Sequence, residues 1–321
     1  MQTYRTLIKN SLKISWNNKY LWFFGLFSML IGFGVEYDFA LNYYFLGESG
    51  GYSTLHKLFT DMGIFSGGFF VAFWKAFARD PINGGIILAI LLIFLFLLGF
   101  LIWLSIVSHV AIIDGAAKRL SGKASSFREG IEKGIKFFWP AFLMISVQKI
   151  AILLLALMLV LFLIALGPVV KLLYVLFFAI SLVLSFVVKY ALSHLVIKEM
   201  GMKESLGEGW RLFRNNWLAT VEIDLVLFFV YGLISVAMIL CIMNLKFLVT
   251  FLAVIMIKLN PMLGFWFVVL ASIGVSFFVI LAGALVAIFY ASAWTSMYFE
   301  LIGGGVKSRI ARFFTKQKSA Q

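Results

Sequence analysis

Three runs of this chain are too apolar and too long for the core of a soluble domain. Ile86–Ile113, Ala141–Leu166 and Leu172–Ile197 each carry only a few polar residues, and a helix crosses the hydrocarbon of a bilayer in about 20 predominantly apolar residues. Within that hydrocarbon each backbone N–H and C=O must be bonded inside the segment, so an isolated run of this kind folds as a helix. Composition agrees. The chain is 63% hydrophobic and 13% charged, against roughly 25% charged for a soluble domain.

The net charge of +13 would suit a nucleic-acid partner, but its distribution suits a membrane. Most of the 27 Lys and Arg fall in four patches between or beyond the apolar runs: Arg5 to Lys19, Lys118 to Lys136, Lys198 to Arg214, and Lys307 to Lys318. The excess of basic residues in cytoplasmic segments explains this pattern without nucleic acid. The expected partners are anionic lipid headgroups at that face and, beyond them, a protein subunit. Cys241 is the single cysteine, so no intramolecular disulfide is available. The basic N-terminus followed by Leu21–Val35 lacks a clear small-x-small cleavage site and reads as an uncleaved first span.

Taken in order, residues 4–19 read as an interfacial helix with Leu7, Leu12 and Ile14 on its apolar side and Lys9, Lys13 and Lys19 on its polar side. Span 1 follows at Tyr20–Val35, then a long outer loop at Glu36–Asp80 that holds an apolar, Gly-interrupted piece, Ile64–Phe77, expected at the outer interface. Span 2 is Ile86–Ile113, span 3 Ala141–Leu166, span 4 Leu172–Ile197, span 5 Leu218–Met243 and span 6 a long helix within Leu263–Leu301. Phe247–Ile257 is too short to cross, at about 16 Å, and reads as an outer re-entrant or surface piece. Both termini are basic, which requires an even number of crossings. The fold class is therefore an all-α polytopic membrane protein. It has six spans in three hairpins, both termini cytoplasmic, one membrane domain over residues 1–302 and a basic tail over 303–321.

A lead-in device recurs three times. Leu7–Leu26 is a basic amphipathic segment, an Asn-Asn break, and aromatics opening an apolar run; weaker copies lie at Ser126–Met144 and Ser205–Ile223. Ser11 precedes Tyr20 by nine residues, Gly130 precedes Trp139 by nine, and Gly209 precedes Trp217 by eight. Asn17-Asn18 meets Asn215-Asn216, and Ser108-His109 meets Ser193-His194. The pseudo-repeats are residues 1–113, 114–198 and 199–302, in parallel topology. Convergence is the alternative, since any cytoplasmic approach to a membrane favours basic residues followed by Trp or Tyr.

Charged and polar residues at membrane depth are the candidate functional residues, because each is costly there. They are Lys149, Lys189, Glu222, Asp224, His109, His194 and Glu300, with Ser185 in a four-residue ladder of Ser181, Ser185, Lys189 and Ser193. One reading makes them structural partners of each other; the other makes them a polar vestibule for an anionic or zwitterionic ligand. No zinc motif, phosphate loop or dinucleotide fingerprint occurs. No catalytic residue, metal site or cofactor is expected, and the chain reads as a non-enzyme. Six spans in three pairs is also the plan of mitochondrial carriers, but their proline-acid-basic signature is absent.

The opening NSLKISWNNKYLWFFGLFSML, followed by GVEYDF, resembles a broad group of prokaryotic multi-pass proteins similar to the membrane domain attached to some glycerophosphodiester phosphodiesterases. The resemblance implies a membrane domain without the catalytic barrel. The expected roles are ligand or lipid handling or a transport component, with a membrane scaffold or partner-binding protein as the alternative.

Overall fold

The computed structural model describes residues 2–32, 68–166 and 170–304. Among them the chain is helical, with no strand. In order the helices are α1 (Gln2–Asn17), α2 (Tyr20–Ser28, continued by a 3-10 turn to Ile31), α3 (Gly68–Arg79), α4 (Pro81–Leu120), α5 (Phe127–Lys136), α6 (Phe138–Leu166), α7 (Val170–Ile197), α8 (Met202–Asn215), α9 (Trp217–Leu259) and α10 (Pro261–Ile302). Five of them, α4, α6, α7, α9 and α10, are long and apolar enough to cross a membrane, which makes this a membrane-embedded protein. Tyr20–Ile31 is apolar but shorter, about 18 Å; residues 33–35 of the expected first span lie outside the described residues.

Two expectations are corrected. Phe247–Ile257 is not a separate re-entrant or surface piece but the last third of α9, a single helix of 43 residues. Lys246 and Lys258 interrupt hydropathy without interrupting backbone bonding, and helix breakers are absent until Asn260-Pro261. There Asn260 caps α10 by accepting the Met262 N–H at 2.9 Å, with Pro261 in the first helical turn. In α1, Leu12 belongs to the exposed face. The buried stripe is Leu7, Ser11, Ile14, Ser15 and Asn18, the spacing expected of one helix face. Its polar members bond within the helix: the Ser11 hydroxyl to the Leu7 carbonyl, Ser15 to Ser11, and the Asn18 amide to Ile14, all at 2.8–2.9 Å.

The chain forms two compact units, Gly34–Trp103 and Met1–Phe33 with Leu104–Gln321. In the smaller unit, Asp80 accepts both the backbone N–H of Asn83, at 3.3 Å, and its side-chain amide, at 2.6 Å, at the start of α4. In the larger unit the buried core gathers at the C-terminal ends of α4, α7 and α10. The stretches Ile106–Ala117, Phe186–Val196 and Ala287–Tyr298 supply most of it, while the apolar residues nearer the N-termini of α7 and α10 are largely exposed, as lipid-facing residues are.

Three short helices brace that packed end, one against each long helix. α1 packs on α10 and α8 on α7. α5 lies on α4, with Gly130 against Ala111 and Gly134 against Val107. Each presents a pair of small buried residues four apart: Ser11 and Ser15, Gly130 and Gly134, Ser205 and Gly209. A Cβ on Gly134 would stand 2.6 Å from the Val107 carbonyl oxygen, and one on Gly209 would stand 2.8 Å from that of Val187. These contacts need backbones in near touch, the use small residues have between helices. By burial, Gly209 matches Ser15 and Gly134 rather than Ser11 and Gly130, since α8 continues further after its small pair. The three braces close on themselves, the first resting on the last long helix of the chain.

Candidate functional site

The three long helices also end alike. Beyond α4, α7 and α10 stands a residue of positive φ: Gly122 at 72°, Glu199 at 54° and Gly304 at 70°. This left-handed conformation closes a helix and is natural to glycine; at Glu199 it is strained. The Glu199 side chain supplies a reason for keeping it. Its carboxylate takes ion pairs from Lys133 and Lys136 of α5, tying the α7 corner to a brace that rests on α4. The hydrogen bond from Lys133, with that from Lys136, holds the Glu199 carboxyl down at about 2. α5 is fixed at its other end by its N-cap, where the Ser126 hydroxyl accepts the Glu129 N–H at 3.3 Å. Lys118 of α4 bridges Asp114 and Glu129, each at 2.8 Å, and its hydrogen bond lowers the Glu129 carboxyl.

Inside the packed end, α7 and α10 meet through aromatic residues spaced four apart on each helix. Phe186, Tyr190 and His194 face Tyr290, Trp294 and Tyr298. Ring centres lie 5.6 Å apart for Phe186 and Trp294, 5.8 Å for Tyr190 and Trp294, and 4.9 Å for His194 and Tyr298, the last two edge-to-face. Edge-to-face pairs match the ring edge to the neighbour's electron-rich face. Lys189 enters this row. Its ammonium donates to the Tyr290 hydroxyl at 2.8 Å and stands 4.6 Å from the Trp294 ring centre, 5.2 Å from Tyr290 and 5.5 Å from Phe186. Three ring faces and a hydroxyl give the charge a polar shell where water is scarce.

The other candidates fall at several places in the same unit. His109 of α4 shares a hydrogen bond of 3.2 Å with Ser28 of α2, and His194 of α7 one of 3.0 Å with Tyr298 of α10. The matching histidines thus do matching work, each joining a long helix to a hydroxyl on another. Lys149 of α6 donates to the Gly32 carbonyl at 3.4 Å, away from the aromatic row. Asp224 is buried on α9 and Glu222 half-buried; near them Tyr190 and Thr220 share a hydrogen bond of 2.8 Å. The serine ladder points inward as expected, with Ser181, Ser185 and Ser193 buried. Glu300 is half-buried at the end of α10 and lines a cleft.

Sequence reasoning missed Phe186, Tyr290, Trp294 and Tyr298. Their signal was present as aromatics four residues apart, but such a stripe in an apolar helix also describes an ordinary packing face. Among the described residues no group of three or more His, Cys, Asp and Glu is placed to hold a metal ion. Comparisons of the chain with protein-family models, with curated proteins and with solved structures give no match.

Proposed function

We propose that this chain is a non-enzymatic integral protein of the prokaryotic cytoplasmic membrane that binds anionic lipid headgroups around its packed end, with six spans in three hairpins and both termini on the cytoplasmic side. The observation that carries this reading is the two-sidedness of the three braces. Each buries its small residues on a long helix and turns basic residues outward: Arg5, Lys9 and Lys13 on α1, Arg128 and Lys136 on α5, Lys203, Arg211 and Arg214 on α8. Trp16, Trp139, Trp210 and Trp217 are exposed on or beside the same helices. Exposed cations with Trp at one level are what the headgroup region favours. The aromatic surroundings of Lys189 favour lipid binding and the holding of a partner over passage of a solute through the bundle. The resemblance to a phosphodiesterase-linked membrane domain fits the same role.

The test is native mass spectrometry of the full chain released from bilayers of mixed anionic and zwitterionic lipid. Each surface Lys or Arg contributes about 1 kcal/mol of attraction to an anionic leaflet, so replacing Lys9, Lys13, Lys203 and Arg214 by Gln should abolish preferential retention of anionic lipid. Equal retention by both proteins would overturn the reading.

A further inference from the structure

A cleft of about 350 Å³ opens between α1, the end of α4 and the end of α10. That volume exceeds what a bridging water needs and falls in the range of small-molecule sites. Its lining divides by chemistry. Leu7, Leu120 and Phe299 supply apolar surface; Asn10, Ser296 and Glu300 supply polar atoms. Among the described residues of the lining, Glu300 is the one charged side chain. The nearby Lys118 is engaged with Asp114 and Glu129. Ser296 is 4% exposed, and its hydroxyl oxygen is buried without a hydrogen-bond partner among the described residues. Two long helices end here, α4 at Leu120 and α10 at Ile302. Backbone caps take the carbonyls of Ala117, Lys118, Arg119, Phe299 and Leu301 at these ends, and each end carries the negative pole of its helix dipole.

We propose that this cleft binds a primary ammonium group. Carboxylate, hydroxyl and amide oxygens all accept, the helix ends add the negative poles of their dipoles, and an ammonium is a donor with three protons to place. The Phe299 ring suits a cation, and Leu7 and Leu120 suit the short methylene stem that carries it. The donor geometry selects a primary ammonium over a trimethylated one, which has no N–H to give. The group belongs either to an ethanolamine lipid headgroup or to a small free amine. The first source rests on the reading above that this end lies at the membrane surface; the second does not.

The experiment uses the full chain in detergent with two probes. Ethanolamine is titrated by calorimetry, and phosphatidylethanolamine is compared with phosphatidylcholine by native mass spectrometry. Binding of both ethanolamine and phosphatidylethanolamine, or of the lipid alone, supports a headgroup site; binding of ethanolamine alone supports a soluble amine. In either case Glu300→Gln should weaken binding at least tenfold and Ser296→Ala severalfold, while both variants keep the thermal unfolding midpoint of the parent chain. Retention of anionic lipid should be unchanged in Glu300→Gln, which separates this site from the basic perimeter. Binding of neither probe, equal binding of phosphatidylcholine, or undiminished binding in Glu300→Gln would overturn the proposal.

Discussion

The ammonium of Lys189 stands 4.6 Å from the centre of the Trp294 ring while the Tyr290 hydroxyl accepts its proton at 2.8 Å. A lysine at this depth would be expensive without such surroundings. Its partners come from a helix about a hundred residues away in sequence, so the pair also locks α7 to α10. A shielded cation–π contact contributes about 1–2 kcal/mol, and truncating a buried Trp costs about 3–5 kcal/mol. Lys189→Met should therefore destabilise the protein by the smaller amount and Trp294→Ala by the larger. The double variant should fall short of their sum by about 1–2 kcal/mol. Unfolding in detergent, followed by tryptophan-independent helical circular dichroism, reads all three.

Docking of α8 on α7 depends on Gly209 lacking a side chain, because its Cβ would press on the Val187 carbonyl and the Ala191 backbone. Gly209→Leu should destabilise by about 1–3 kcal/mol through overpacking and expose the 198–216 segment to limited proteolysis. Gly207, on the same helix, has open space where a Cβ would go. Gly207→Ala should be neutral or raise stability by about 0.5–1 kcal/mol through helix propensity. Proteolysis of the two variants side by side distinguishes close packing from a general intolerance of substitution.

The Glu199 corner gives a pH dependence of defined sign. The carboxyl is held at about 2 by Lys133 and Lys136 in the folded protein, against an ordinary value of 4.5. A lowered folded value stabilises the charged, folded form above the ordinary value, and the contribution disappears as pH falls through the folded one. The protection factor of the α5 amides, exchange measured against the intrinsic rate at the same pH, should thus be high at neutral pH and fall as pH drops from about 4.5 to about 2. In Glu199→Gln it should be lower at neutral pH and lose this dependence. Glu199→Gly relieves the left-handed backbone but removes the clamp, so it too should free α5.

The continuity of α9 is measurable as a distance. Spin labels at Trp217→Cys and Leu259→Cys, in a Cys241→Ser background, should lie about 63 Å apart along an unbroken helix. A re-entrant Phe247–Ile257 would fold the second label back and give a markedly shorter distance.

Helix content was legible wherever apolar runs had the length of a span, and side-chain caps at Ser126 and Asn260 mark two of the boundaries in the structure. The small pairs of the braces were half legible: Ser11, Gly130 and Gly209 stood out by their distance from an aromatic, but burial alone aligned Gly209 with Gly134. Phe247–Ile257 was misread because hydropathy records solvation, whereas helix continuity depends on backbone bonding that a lysine leaves intact. The Gly32 carbonyl beside Lys149 and the aromatic cage around Lys189 are contacts that a search for opposite charge does not find. Ser185 and its ladder were legible because a four-residue spacing fixes one helix face in any environment.

A closed packed end separates a lipid-binding body from a solute path, and Ser185 reports on it from the centre of the ladder, where it is 0% exposed. Ser185→Cys in a Cys241→Ser background changes one atom at that position. In reconstituted full-length protein it should resist a charged, membrane-impermeant thiol reagent applied from either side and react fully after denaturation. Rapid labelling of the native protein from the aqueous phase would reveal a water-filled vestibule along α7 and contradict the closed core.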